Sequence, residues 1–166
     1  MMKKKIFLLI FACTLVISQN APYTILVSLD GFRYDYLDRN ITPNMQKIID
    51  DGVRAISLRP SYPSKTFPNH LTIITGMHPQ NHGIIANRFK NPFSNEFYEM
   101  KDTAQIRNPK WYLGEAFGET AERHNIITAS YYWPGSELSD PERRPTYFHY
   151  YNHNFKEFYL EMTKKI

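Results

Sequence analysis

Apolar and polar positions along the chain alternate between short continuous runs and helical spacing. Tyr23 to Leu29 reads YTILVSL, a β-branched, nearly continuous apolar run ending at Asp30-Gly31, and predicts a buried parallel strand with a turn at its C-terminal end. Pro43 to Asp51 places Met45, Ile48 and Ile49 at helical spacing, with Thr42 as N-cap, Pro43 at the first helical position and Gly52 as the stop. Val53 to Leu58 predicts a second strand, and the proline- and serine-rich Arg59 to Lys65 a loop. Phe67 to Thr75 predicts a helix, in which Pro68 is tolerated because first-turn amides need no intrahelical acceptor. Gly76 to Gly83 has loop chemistry, and Asn87 to Asn108 is polar and irregular, a hairpin or surface excursion. Trp111 to His124, with Leu113, Ala116, Phe117 and Ala121 on one face, predicts a further helix, and Ile126 to Tyr132 a further strand. Trp133 to Tyr151 is expected as loop and Phe155 to Ile166 as the start of a helix. Alternating strands and helices specify an α/β class with a mostly parallel sheet flanked by helices.

The first twenty residues are patterned differently. Lys3, Lys4 and Lys5 precede Ile6 to Ile17, which is apolar apart from Thr14, and Ser18, Gln19 and Asn20 follow. This layout predicts a signal peptide over residues 1–20, a secreted or periplasmic location, and residues 21–166 as one domain. The apolar run falls short of the roughly 20 residues that cross a bilayer, so no stable membrane anchor is expected. A chain of 166 residues with 42% hydrophobic and 15% aromatic residues suits one core. Its single cysteine excludes an internal disulfide and any CxxC zinc site, leaving histidines and carboxylates as metal ligands. The net charge is +4, but the three leading lysines account for most of it. No nucleic-acid-binding signature remains, and nothing in the pattern specifies an oligomeric state.

Three groups of residues carry candidate chemistry. Asp30 at a strand end suits a metal ligand or general base, although Asp-Gly after a strand also makes a plain turn. Thr66 sits where a loop meets a helix N-terminus, where free amides and the dipole favour an anion; the bland reading is a helix cap. A nucleophile needs, beyond the hydroxyl, a metal or base to lower its pKa. His70, His78 and His82 cluster locally, but their spacing makes no helical metal-binding face, which favours structural hydrogen bonding.

The strings LVSLDGFRYDYL from Leu26, SYPSKTFPNHLTIITGMHPQNHGIIANRF from Ser61 and NPKWYLGEAFGETAERHNIITASYYWPGSE from Asn108 closely resemble the nucleotide pyrophosphatase/phosphodiesterase family of the alkaline phosphatase superfamily. The resemblance implies an alkaline-phosphatase-like core and a hydrolase with two zinc ions that cleaves phosphodiester or phosphoanhydride bonds through a covalent phospho-threonine. It implies Asp30 and Thr66 as metal-binding residues and Thr66 as the nucleophile. Asn87, 21 residues downstream, would donate to a phosphate oxygen together with the Phe67 backbone N–H. Phe67, Trp133 and Tyr151 match aromatic positions lining the substrate pocket, and Pro68, Asn69 and His70 would shape the turn around the nucleophile.

This sequence departs from the family pattern at Glu137, where Asp is frequent. Beyond Tyr151-Asn152 the pattern continues with an Asp-x-x-x-His pair, an Asp-His pair and a distant His that the sequence does not carry. The resemblance therefore implies the N-terminal part of the catalytic domain, a truncated core and fewer than half of the zinc ligands. The expected partner is a small-molecule phosphodiester or nucleotide. The rivals are a phosphomonoesterase on the same scaffold, which would need positive side chains on the spare phosphate oxygens, and a non-catalytic fragment or binding module without a metal centre.

Overall fold

The computed structural model describes residues 22–150, and the chain divides into two units, residues 1–33 and 34–166. The expected signal peptide, Tyr151 and the helix expected from Phe155 lie outside the described residues. In the first unit, residues 22–29 form no regular element and reach a turn at Asp30-Gly31, closed by Phe32 N–H donating to Leu29 O at 3.3 Å. Gly31 takes φ +68 there, which a residue without Cβ adopts readily. The buried parallel strand expected over Tyr23 to Leu29 does not form among the described residues, and Tyr23, Ile25 and Val27 are exposed.

The second unit begins with a 3-10 turn at Tyr36–Arg39 and helix α1, Pro43–Asp51. Helix α1 has the expected limits, with Pro43 at its start and Gly52 N–H donating to Ile49 O at its end, but the Thr42 side chain makes no cap bond. The strand expected at Val53 to Leu58 does not form among the described residues, and those side chains are exposed. Helix α2, Thr66–Thr75, ends at Gly76 in the left-handed region, with φ 67 and its N–H on Thr72 O. A short helix α3, Pro79–His82, occupies what the sequence presents as loop.

Strands β1, Arg88–Lys90, and β2, Phe97–Glu99, form an antiparallel hairpin in which Phe89 faces Tyr98. Helix α4, Thr103–Ile106, is capped by Asp102, whose carboxylate accepts from the Ala104 and Gln105 amides. A 3-10 turn at Pro109–Trp111 precedes helix α5, Phe117–Arg123. The helix expected from Trp111 is therefore six residues shorter at its start. Non-local bonds hold the preceding segment out of helix: Leu113 N–H donates to His82 O, and the Tyr112 and Gly114 carbonyls accept from the Arg143 guanidinium. Strand β3, Ala129–Tyr131, pairs in parallel with β4, Tyr147–His149, in a segment expected as loop. Glu122 pins this pair by accepting from the N–H and hydroxyl groups of both Thr128 and Thr146.

The core of this unit is Phe67 and Leu71 from α2, Ile84, Tyr98 from β2, Ile106 from α4, Trp111, Tyr112 and Leu138. Its aromatic rings meet mainly edge to face, and Tyr98 Oη and Tyr112 Oη share a hydrogen bond of 3.1 Å. Burial lifts both phenol pKa values, so these hydroxyls serve as neutral hydrogen-bonding groups.

Candidate active site

Helix α2 begins at Thr66, half-buried at its first position. The loop that delivers it is held by Asn69 from one turn further on. Asn69 Oδ1 accepts from Ser61 N–H at 2.8 Å, and its Nδ2 donates to the Pro63 and Lys65 carbonyls, each at 3.0 Å. Every polar atom of that amide is used, so one side chain fixes three points of the approach to Thr66. The first-turn amides are matched in turn: Asn69 N–H reaches Lys65 O, and Pro68 has no N–H to satisfy.

Phe67 N–H donates to Asn87 Oδ1 at 3.2 Å, a side-chain bond that brings Asn87 to the start of the helix. Asn87 is itself held by the hairpin, since Met100 N–H donates to the Asn87 carbonyl at 2.8 Å, just before β1. Thr66, Phe67 and Asn87 are therefore brought together. The contact is direct, the Phe67 N–H donating to the Asn87 side chain itself. A first-turn amide without an intrahelical acceptor takes the nearest carbonyl oxygen. The donors left to Asn87 are its Nδ2 protons.

The Phe67 ring departs from the expected pocket lining. It is completely buried and packs edge-on against Tyr98, so it is a core side chain and presents no face to solvent. Trp133 is half-buried and lies against α2: its Nε1–H donates to His70 O at 3.2 Å and its ring meets the His70 ring at 5.2 Å. Gly135 lets the loop approach, because a Cβ there would lie 3.1 Å from Leu71 Cδ2, and its φ is +87. The tie between positions 70 and 133 spans 63 residues and leaves no local sequence signal. Glu137 is buried and paired with Arg107 at 3.6 Å, inside the protein rather than at a pocket wall. Tyr151 lies outside the described residues.

His82 behaves structurally, as its spacing suggests. It is buried, its Nδ1 accepts from Ile84 N–H, and its Nε2–H lies between Pro68 O and Thr72 Oγ1 at 3.1 and 3.2 Å. Desolvation lowers its pKa, against the opposing pull of its backbone hydrogen bonds. His70 is tied to Thr66 O through Nδ1, and His78 is exposed, its carbonyl accepting from the Asn81 and His82 amides.

Zinc would need three or four protein donors per ion. Among the described residues no three His, Cys, Asp or Glu side chains gather where they could hold one ion. Asp30 stands at the turn of the first unit and Thr66 at the helix tip of the second, and by themselves these two donors do not make a zinc site. No helix among the described residues is long and apolar enough to cross a membrane.

Comparison with known proteins gives a consistent result. Residues 24–165 match the type I phosphodiesterase/nucleotide pyrophosphatase family. An uncharacterized pyrophosphatase/phosphodiesterase of Schizosaccharomyces pombe is 43% identical over 124 residues, covering 74% of this chain and 26% of that protein. Ectonucleotide pyrophosphatase/phosphodiesterase family member 1 of Mus musculus is 38% identical over 134 residues, 80% of this chain and 15% of that protein. Among solved structures, murine ectonucleotide pyrophosphatase/phosphodiesterase 5 superposes with a TM-score of 0.71 at 30% identity, over 82% of this chain and 37% of that one. The same murine protein, inactive through a threonine-to-alanine change and in complex with AMP, superposes equally well at 29% identity. The chain thus spans between about a seventh and a quarter of the curated relatives' length, and it has the α/β, alkaline-phosphatase-like fold of its structural neighbours.

Proposed function

The chain belongs to the type I phosphodiesterase/nucleotide pyrophosphatase family, and from that premise we propose that it contributes the nucleophile, Thr66, to the hydrolysis of phosphodiester or phosphoanhydride bonds in nucleotide-like small molecules. The observation that carries the reading is the placement of Thr66 at the tip of a ten-residue helix, with Asn87 bonded to the next residue and the approaching loop locked by Asn69. A structural neighbour that binds AMP and is inactive with one threonine changed to alanine supports the same assignment.

In this reading Thr66 Oγ1 attacks phosphorus in line with the leaving group: the Oγ1–P bond forms as the P–O bond to the leaving group breaks, and the Thr66 proton departs with the leaving oxygen. Water then attacks the phospho-threonine, its hydroxyl going to phosphorus and its proton to Oγ1, which restores the hydroxyl and releases the phosphate product. Charge building on the phosphoryl oxygens meets the positive end of α2 and the Nδ2 protons of Asn87. Trp133 and Tyr151 supply aromatic surface to the second ester group, and this favours a diester over a monoester. Zinc dependence belongs to the proposal as well, with Asp30 and Thr66 among the donors and the described residues supplying no third. So does export directed by residues 1–20, with residues 21–166 as part of the catalytic domain.

The test is hydrolysis of a bis-aryl phosphate against a mono-aryl phosphate by wild type, Thr66→Ser and Thr66→Ala. Thr66→Ser should keep some turnover, and Thr66→Ala should lose about 100-fold or more, as expected when a nucleophile is removed. Equal rates for Thr66→Ala and wild type would refute the nucleophile, and a strong preference for the monoester would favour the phosphomonoesterase.

A further inference from the structure

We propose that His70 is a positioning residue that sets the angle of the Trp133 indole against the helix bearing Thr66, and through it the fit of the substrate's second ester group. The kinetic part rests on the reading of Thr66 and Trp133 given above; the geometry does not.

His70 follows Thr66 by one helical turn, so the two share a face of α2. The His70 Nδ1–H donates to the Thr66 carbonyl oxygen at 2.8 Å, and this bond fixes the ring about its side-chain torsions. So held, the ring presents itself to Trp133 in a T-shaped contact, with centroids 5.2 Å apart and planes inclined at 71°. The indole is gripped a second time by its Nε1–H on the His70 carbonyl at 3.2 Å. One residue therefore touches Trp133 through both its ring and its backbone, while its own ring is tied to the residue proposed as nucleophile.

The loop carrying Trp133 cannot set that angle by itself. Ser136 closes the loop on its own backbone, its N–H and Oγ–H both donating to the Trp133 carbonyl, at 3.2 and 2.8 Å. Those bonds place the Trp133 backbone and leave the indole two side-chain torsions. The preceding Tyr132 holds φ 55, unusual for a bulky residue, and turns the chain from β3 toward α2. What stops the indole from swinging is the His70 ring. Any residue at position 70 keeps the carbonyl, so His70→Ala removes the ring contact together with the ring's bond to Thr66 O, and lets the indole pivot about its remaining hydrogen bond.

The experiment is ¹⁹F NMR of the full chain labelled with 5-fluorotryptophan, alongside steady-state kinetics on bis(p-nitrophenyl) phosphate. The chain has two tryptophans, so Trp133→Phe assigns both resonances, and buried Trp111 reports on the core. In His70→Ala the Trp133 resonance should move toward that of the free amino acid while the Trp111 resonance stays; His70→Phe, which keeps a ring, should restore it. KM should rise about threefold to tenfold in His70→Ala, the range one aromatic edge contact supplies, with kcat within about twofold. A Trp133 resonance unmoved in His70→Ala, or a fall in kcat at constant KM, would overturn the proposal. If His70→Ala disturbs both resonances, His70→Phe decides: wild-type positions support the proposal, and a displaced Trp133 resonance beside an intact Trp111 contradicts it. Undiminished turnover in Thr66→Ala would instead remove the nucleophile reading and leave the resonance result standing.

Discussion

Ile48, Val53, Ile56 and Leu58 are as apolar as Phe67, Leu71, Ile84 and Leu138, yet the first four are 73%, 99%, 89% and 82% exposed and the second four at most 4%. Both sets belong to the second unit. Residues 43–58 are held by local or exposed bonds, such as Gln46 to Asp50 and Arg54 to Asp38. Residues 61–149 are cross-linked by side chains that reach far along the chain: His82 to Pro68, Arg143 to Tyr112 and Gly114, Trp133 to His70. Apolar sequence alone does not bury a segment. Burial follows where distant polar groups close the gaps between elements and satisfy most of the donors and acceptors that become buried. The candidate site belongs to the cross-linked region, which gives Thr66 a rigid support.

The largest expected effect sharpens that contrast. Phe67→Ala should cost about 3–5 kcal/mol, as for other fully buried aromatic truncations, whereas Ile56→Ala should stay within about 0.5 kcal/mol. Urea unfolding followed by tryptophan fluorescence measures both, and comparable losses would erase the distinction between the regions. Glycines give a smaller contrast inside the cross-linked region. A Cβ on Gly83 would lie 2.4 Å from the Trp111 carbonyl at φ +90, whereas Gly76, at φ +67, has nothing within 4 Å. Gly83→Ala should cost about 2–4 kcal/mol from strain and overpacking together, and Gly76→Ala about 1 kcal/mol from its backbone alone. Equal thermal shifts would mean that the approach of Gly83 to Trp111 is not tight.

Acid should loosen the cross-linked region in two stages. Burial lowers the His82 pKa below 6.5, so the unfolded chain takes up the proton first; this stability is full above pH 6.5 and falls as pH drops below it. The Thr128 and Thr146 hydrogen bonds draw Glu122 down from 4.5 to about 2, so its smaller contribution is present above pH 4.5 and is lost as pH falls toward 2. Solvent screening keeps the Glu122 effect under about 1 kcal/mol. Melting temperature against pH in wild type and Glu122→Gln separates the stages: the upper one should persist in the variant and the lower one weaken, the part that remains belonging to Glu96, whose pKa Lys110 and Ser94 also lower. A melting temperature flat between pH 7 and 5 would contradict the role of His82.

Sequence legibility follows the same division between local and distant causes. Helix α1 was legible because Pro43 and Gly52 mark its ends within the segment, and α2 because Gly76 supplies the left-handed stop. The loop at Trp111 to Ala116 was not, because its carbonyls and amides are claimed by Arg143 and His82, whose positions no local periodicity reveals. Strand β4 was hidden for a similar reason: its partner β3 lies across a long connection rich in proline and charge. At the site, the loop-to-helix junction at Thr66 was readable from residue types alone. The resemblance implied a pocket position for the neighbouring Phe67, whereas one residue along a helix turns the side chain by about 100°, here into the core. Asn87 needed the family resemblance to be noticed, since a lone asparagine before a short strand carries no signal.

The most direct test of the central claim is to quench the protein in acid during turnover of a bis-aryl phosphate and analyse its peptides by mass spectrometry. The account predicts an aryl phosphoryl group on the peptide containing Thr66, localised to that hydroxyl and absent from Thr66→Ala. Turnover with an unmodified Thr66 peptide, or with the group on another residue, would contradict it.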